Sequence, residues 1–447
     1  LRYRLQRYSR AFAQELAFLE ATEFSSPLQL ELLQLGRLRR MLHHAVENVP
    51  AYHGKLSAAQ IASLKPGRWA ALHELPLTEK SSLRQDSRRY YPSGKIPAGS
   101  IPWSTSGTTG TPLTIHYSPD AVARQYAFVE SYRRQAGVSR HMRRAQFTGK
   151  LVAPANEKSV FWRYDWANRC LLLSTVHLTP ENIPAYLRAL QQFQPQYISG
   201  YPSAITLLAK FVIERPELSL PLKAVLTSAE TLQDEQRLQI GSAFGSRVYD
   251  QYGQTEMQSF WFECRYGRMH AHPLFGVTEI LRPNGEPCKA GEVGDVVLTG
   301  LVNSAMPLLR YRVGDRAAWS DESSCPCGRH LPIVAAIEGR KDDYIYSQER
   351  GLIGRMDPVL KGVSGILECQ FVQETADSLD IRFVPGEDFQ PEHLRLLQKN
   401  LEERLGRSLK YRFHKLASIP RGPNGKFRTV VSRINTSQQN YAEEVTR

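Results

Sequence analysis

From Tyr197 to Glu256 the chain reads YISGYPSAITLLAKFVIERPELSLPLKAVLTSAETLQDEQRLQIGSAFGSRVYDQYGQTE. Short apolar runs at Tyr197 to Ser199, Leu222 to Leu226 and Arg247 to Gln251 have strand length. They alternate with stretches of helical spacing at Pro202 to Glu214 and Thr231 to Phe244. Such alternation requires a mainly parallel sheet covered by helices on both faces, with ligand loops at the carboxyl ends of its strands. Two polar segments, Thr227-Ser-Ala-Glu230 and Tyr252-Gly-Gln-Thr-Glu256, fall at two such ends. The expected fold class is α/β.

Toward the N-terminus, Thr179 to Phe193 reads as a capped helix. Ser118-Pro119-Asp120 reads as an N-cap with proline at the first helical position, and Gly137 closes that helix. A short strand, Thr114 to Tyr117, leads into it from the run Ser104-Thr-Ser-Gly-Thr-Thr-Gly-Thr-Pro112. Residues 1–100 read as a helical and then irregular entry region, with Leu28 to Val46 apolar at three- and four-residue spacing. Toward the C-terminus, β-like runs separated by Asn284-Gly285 and Gly291-Glu-Val-Gly294 predict a β-rich subdomain over 276–339. Beyond Gly339-Arg340 the pattern restarts: a hairpin at Ile366 to Gln373 and Leu379 to Val384, a helix at Pro391 to Leu405, a strand at Tyr411 to Lys415. The expected division is therefore 1–339 as a large N-terminal domain and 340–447 as a small α+β domain, with Lys341 and Asp342 at the junction.

A length of 447 residues calls for about two to three domains, and 42% hydrophobic residues can fill their cores. No apolar stretch reaches the ~18 residues of a membrane span, and Leu1 opens on Arg/Tyr-rich sequence without a secretory h-region. Six sparse cysteines fit a reducing compartment, so the expectation is a cytoplasmic protein. The net charge of +13 invites nucleic acid or an anionic membrane as partner. Basic residues are, however, interleaved with acids, and no aromatic-spaced RNA motif stands out, so no nucleic-acid partner is expected. Oligomeric state is open, a homodimer included.

The chemistry lies in six segments in fixed order: Ser104 to Pro112, Thr227 to Glu230, Tyr252 to Glu256, Tyr311-Arg-Val-Gly-Asp315, Gly339-Arg-Lys-Asp-Asp343 and Pro420-Arg-Gly-Pro-Asn-Gly-Lys426. A Gly/Ser/Thr loop wraps a polyphosphate with hydroxyl and N–H donors, while the acids and bases downstream suit magnesium, a ribose and a reacting carboxylate. Each segment alone is commonplace, and a Ser/Thr/Gly run is usually a solvated loop. Their order and spacing carry the weight.

On these segments the chain resembles the adenylate-forming superfamily, and within it the phenylacetate-CoA ligase branch. The finer resemblance is to its capsular-polysaccharide-associated, CapK-like subfamily, through Phe161-Trp-Arg, Gly200-Tyr-Pro-Ser203, Arg350-Gly-Leu-Ile-Gly-Arg355 and Gly425-Lys-Phe-Arg428. The resemblance implies an adenylate-forming fold with a mobile C-terminal lid. It also implies an enzyme that uses ATP and Mg²⁺ to convert a carboxylic acid into an acyl-adenylate with loss of pyrophosphate. It makes Thr105, Ser106, Gly107, Thr108, Thr109 and Gly110 the phosphate loop, with Thr111 where many relatives have lysine. Ser228, Ala229 and Glu230 would border the adenine, Tyr252 would stack on it, and Gly253 and Thr255 would complete that loop. Asp315 would hold the ribose hydroxyls and Arg340 the ribose or phosphates. Glu256 would ligate magnesium, a surface glutamate being the bland alternative. Thr109, Glu256 and Lys426 would be catalytic, Lys426 bringing its ammonium to the carboxylate and α-phosphate.

Cys264-x₅-His270 and Cys325-Pro-Cys327 supply three sulfurs and one imidazole, enough for a closed tetrahedral zinc site. Some relatives carry structural zinc at similar positions, and with four protein ligands its role would be structural. Three partly buried thiols and a satisfied histidine remain the alternative, and His272 competes with His270. Cys170, Cys288 and Cys369 read as unrelated.

The second half-reaction is less defined. Tyr344 to Arg355 departs from the turn that follows Gly-Arg-x-Asp-Asp in coenzyme A ligases of this branch. The acceptor stays open among coenzyme A, a carrier-protein thiol, an amine and a glycan precursor. The acid pocket is expected between Phe147, Gly200 to Ser203, Tyr249 to Tyr252 and His272 to Phe275. Two other functions remain: an adenylyltransferase that leaves AMP on its product, and a non-catalytic ATP-binding regulator.

Overall fold

A computed structural model describes residues 2–104, 113–148, 152–154, 156–340, 344–353, 356–360, 362–422 and 426–434. Among them, twelve strands form one mixed sheet. From one edge the order is Gly276–Leu281, Gly294–Gly300, Tyr311–Trp319, Ile333–Arg340, Met269–Ala271, Phe260–Glu263, Val248–Gly253, Ala224–Ser228, Tyr197–Gly200, Arg144–Thr148, Cys170–Ser174 and Trp162–Asp165. The five strands from Val248–Gly253 to Cys170–Ser174 run parallel, as the α/β alternation predicts, and Trp162–Asp165 closes that edge antiparallel.

The β-rich stretch after Gly276 does not form a sheet of its own. It joins the parallel strands through the antiparallel pairs of Ile333–Arg340, Met269–Ala271, Phe260–Glu263 and Val248–Gly253. Hairpin signals reveal local pairing but not which sheet a hairpin enters, so this continuity has no sequence signature.

The helices sit where their caps place them. Pro202–Glu214 starts on proline at its first position, and Ser118 accepts the N–H of Ala121 to cap Pro119–Gln135. Pro27–Asn48 covers the expected Leu28 to Val46 stripe and has a Ser26/Gln29 capping box. Two starts differ from expectation. Thr179 makes no side-chain cap, and Pro180–Asn182 is a 3₁₀ turn before the α-helix Ile183–Phe193. The helix expected from Thr231 begins at Asp234, after a Gln233/Gln236 capping box.

The C-terminal module packs Pro391–Leu405 on a four-stranded sheet in the order Lys410–Lys415, Ser378–Pro385, Ile366–Thr375 and Val430–Ser432, around its own core of Phe371, Leu379, Leu397 and Leu401. No helix of the described residues is long and apolar enough to cross a membrane.

Candidate active site

The run Thr105 to Pro112, including the phosphate-loop residues Thr105 to Gly110, lies outside the described residues, but both its ends are fixed. The strands that flank it, Ile101–Ser104 and Thr114–Tyr117, pair antiparallel with Ser104 opposite Thr114. From the end of the second strand, the Tyr117 hydroxyl donates to the carbonyl of Thr255, tying that strand to the turn that carries Glu256.

That turn is tightly built. Met257 has left-handed backbone (φ 58°), Gln258 donates to the Glu256 carbonyl at 2.5 Å, and its amide oxygen takes the Gly300 N–H at 2.8 Å. A side chain at Gly300 would put Cβ 2.4 Å from that oxygen, so any larger residue would have to displace the Gln258 amide that braces the turn. The Glu256 carboxylate is thereby buried at the carboxyl end of the sheet, where its Oε1 accepts from the Tyr311 hydroxyl at 3.0 Å.

Lys80 approaches the same oxygen at 3.6 Å, a residue absent from the sequence assignments. Its position follows from a splice between the entry region and the sheet. Thr78 exchanges two backbone hydrogen bonds with the strand beginning at Tyr311, and Arg310 clasps Glu279 and the carbonyls of His73 and Leu75. Nothing local in Leu77-Thr-Glu-Lys80 marks the lysine, because its partner comes from a distant strand.

Tyr252 donates from its hydroxyl to Asp315 Oδ2 at 2.6 Å and packs on Trp261 at 4.4 Å between ring centres. Asp315 stands opposite Arg340 across the sheet ladder, and the Arg340 side chain lies outside the described residues, as do Lys341 and Asp342. Ala229 is held at φ 71° beside Ser228, which pairs in register with Gln251. Three of the six left-handed non-glycine residues described, Ala229, Met257 and Arg310, thus sit in these loops, a concentration of backbone strain typical of ligand sites.

Glu230 faces the C-terminal module. One carboxylate oxygen takes the N–H of Ser203 at 3.1 Å, and the other takes the N–H of Phe427, next to Lys426, at 2.7 Å. Burial pushes its carboxyl above the usual range, and these two donors pull it back. Lys426 itself accepts the Gly422 N–H at its carbonyl. The structure therefore brings Ser228, Ala229, Glu230, Tyr252, Gly253, Thr255, Glu256 and Asp315 to the sheet's carboxyl end, with the Lys426 segment beside Glu230.

Of the expected acid-pocket walls, Gly200 presses against Phe147, where a Cβ would lie 2.6 Å from the Phe147 Cβ. His272 to Phe275 is instead a core turn. Phe275 and His272 edge onto Phe128, and Gln34 and Arg37 hold its carbonyls. Burial drops the His272 imidazole to about 3, so it stays neutral.

A second cluster lies away from these loops. Cys264, His270, Cys325 and Cys327 are buried, with ligand atoms all within 4.8 Å of one another. Cys264 Sγ and Cys325 Sγ are 3.6 Å apart, and Cys327 Sγ and His270 Nε2 are 3.5 Å apart. A tetrahedron with metal–sulfur bonds of about 2.3 Å has edges of about 3.7 Å, so the spacing fits a four-coordinate soft cation. His270 Nδ1 lies 3.3 Å from the Leu331 carbonyl, which leaves Nε2 toward the sulfurs, and the Tyr266 N–H donates to Cys264 Sγ at 3.4 Å. His272 is outside the cluster, and Cys170, Cys288 and Cys369 lie elsewhere.

Comparison with known proteins agrees with this architecture. The family model described as AMP-binding enzyme matches residues 103–306, and that described as CapK C-terminal domain matches 345–433. Protein CapK of Staphylococcus aureus is 26% identical over 96% of this chain and 94% of its own length. A phenylacetate-coenzyme A ligase of Thermus thermophilus is 29% identical over 71% of this chain and 72% of its own. A crystal structure of 2-hydroxyisobutyryl-CoA ligase in the postadenylation state superposes with a TM-score of 0.70 at 22% identity, covering 93% of this chain and 92% of that one, and shares the fold. Together these matches support assigning the chain to the adenylate-forming enzymes, in their phenylacetate-CoA ligase-like branch and its CapK subfamily.

Proposed function

We propose that this chain activates a carboxylic acid with ATP, forming an acyl-adenylate and releasing pyrophosphate, and then passes the acyl group to a thiol. The observation that carries this is the contact between Glu230 and the Phe427 N–H, which sets the Lys426 segment against loops that present Glu256 and Asp315. In this reading 1–339 is the adenylation body and 340–447 the lid.

Asp315, oriented by the Tyr252 hydroxyl, takes the ribose hydroxyls, and Ser228 to Glu230 border the adenine. Lys80 and the run Thr105 to Gly110, with Thr109 at the reacting phosphate, neutralise the departing pyrophosphate. Both described contacts of the Glu256 carboxylate fall on Oε1, so Oε2 suits a magnesium ion, which prefers one or two carboxylate oxygens and otherwise water and phosphate. Bound there, magnesium would offset charge on the phosphates. Lys426 stabilises the charge that develops as the acid's oxygen attacks the α-phosphate and the bond to pyrophosphate breaks.

Cys264, His270, Cys325 and Cys327 would hold zinc as a structural clamp, since four protein ligands leave no open position. Coenzyme A is the first candidate acceptor, as in the phenylacetate-coenzyme A ligases, and a capsular glycan route is the setting suggested by CapK. The test is pyrophosphate release with hydroxylamine trapping across a carboxylate panel, with and without coenzyme A. Acid-dependent hydroxamate with free AMP supports the reading. AMP retained on the product would make the chain an adenylyltransferase, and no acid-dependent release would leave ATP binding alone.

A further inference from the structure

The helix Pro202–Glu214 meets the C-terminal module at two places. At its first turn, the Ser203 N–H and the Phe427 N–H share the Glu230 carboxylate, one on each oxygen. Two turns further on, Lys210 Nζ donates to the carbonyls of Ile366 and Leu367 at 2.7 and 2.6 Å. These carbonyls lie where the ladder between Ile366–Thr375 and Ser378–Pro385 slips register, between Ile366 and Glu368. A bulge takes backbone groups out of the ladder, and they then need other partners.

The next residue, Glu368, pairs with Arg421, both side chains nearly buried, and the Arg421 guanidinium lies 4.7 Å over the Phe427 ring. The path closes on itself: Lys210, the 366–367 bulge, Glu368, Arg421, Phe427, Glu230, Ser203 and back along one helix. We propose that this ring fixes Lys426 for the first half-reaction, with Lys210 as a positioning residue remote from the reacting atoms. Its kinetic part rests on the adenylation reading above.

Three features suit such a role. Phe427 follows Lys426 directly, so holding its N–H fixes the Lys426 Cα to within one rigid peptide. The ring is polar, and the seam beside it, where Leu367 packs against the core that includes Phe211, still keeps a crevice of about 310 Å³ lined by Phe211, Leu367 and Pro385, so the hydrogen bonds add orientation that packing leaves open. Burial lowers the Lys210 ammonium below the usual lysine range, with Glu368 offsetting part of the cost. On opening, water rehydrates the ammonium and the two carbonyls, so the contact releases without leaving groups unpaired.

The test compares Lys210→Met and Lys210→Arg in the whole chain. Hydrogen exchange, without added ligand, reads the Ser203 and Phe427 amides. Pyrophosphate release, with ATP and whichever panel acid is active, reads the chemistry. Lys210→Met is expected to speed both amides by about five- to tenfold and to lower kcat by a similar factor, with KM for ATP within about twofold, because two buried carbonyls lose their donor. Lys210→Arg is expected to recover most of both effects. Unchanged exchange at Ser203 and Phe427 in Lys210→Met overturns the ring, as does faster exchange spread evenly over the chain, which would mean plain destabilisation. Should Lys210→Met not fold, Glu230→Gln opens the ring at its other end and must speed exchange over 366–371. If no acid supports pyrophosphate release in the wild type, the adenylation reading fails while the exchange arm still decides the ring.

Discussion

Two places in this molecule tie distant stretches of chain together, and they are built differently. At the cysteine–histidine cluster, four buried ligand atoms from two loops and a strand converge within one continuous sheet, and Arg329, in the same loop as Cys325 and Cys327, pairs with Glu23 and lies over Phe24. At the seam of the C-terminal module, a few charged and backbone groups face one another beside an incompletely filled crevice. A knot of soft ligands resists release, whereas hydrogen bonds that water can replace do not. The difference teaches where motion belongs: changes at the seam should alter rates and spare stability, and changes at the knot should do the reverse.

The largest effect should come from the seam's cargo. Lys426→Ala is expected to lower pyrophosphate release by about 10²-fold or more while leaving the melting midpoint within about 2 °C. A near-normal rate would remove Lys426 from the chemistry. Next comes the fixed side of the site. Glu256→Gln keeps the bond from Tyr311 but removes the charge, and should slow release by roughly tenfold or more and raise the magnesium needed for half-maximal rate. An unchanged magnesium dependence would return Glu256 to a structural role.

The knot should show the opposite signature. Protein purified without added zinc should carry near one equivalent, and Cys325→Ser should lose it and melt lower by about 10 °C, with kcat within about twofold at low temperature. Full metal content in that variant would break the comparison. The smallest effect concerns Asp250, bonded to Thr227 and close to Glu263. Burial pushes its carboxyl up to about 6. Between about pH 4 and 6 the folded chain therefore holds a proton that the unfolded chain has released, so the stability tied to this group is present below that window and lost as pH rises through it. The midpoint difference between wild type and Asp250→Asn should fall by roughly 2–5 °C from pH 4 to 6. A constant difference would show that Asp250 does not titrate there.

The sequence makes structure legible where the cause is local. Pro202 and Ser118 mark their helix starts because a fixed φ and a side-chain acceptor act within three residues. Parallel order followed from alternation, which is a chain-level constraint. What escaped depends on contacts between distant segments. Lys80 reaches Glu256 only through the pairing of Thr78 with the strand at Tyr311. His270 and His272 are two residues apart, and spacing alone puts them on one face. The strand ends at Ala271, however, and the chain turns, sending His272 into the core against Phe128. The Lys210 ring depends on a register slip at Ile366 to Glu368, which no hydrophobic pattern encodes.

The central claim is that this chain makes a mixed anhydride between AMP and an acid. Exchange of labelled pyrophosphate into ATP measures that step alone, with no acceptor needed. The account predicts exchange that requires both magnesium and a particular class of carboxylate and that collapses in Lys426→Ala. Exchange that proceeds equally without any acid, or none with any acid across a broad panel, would contradict it.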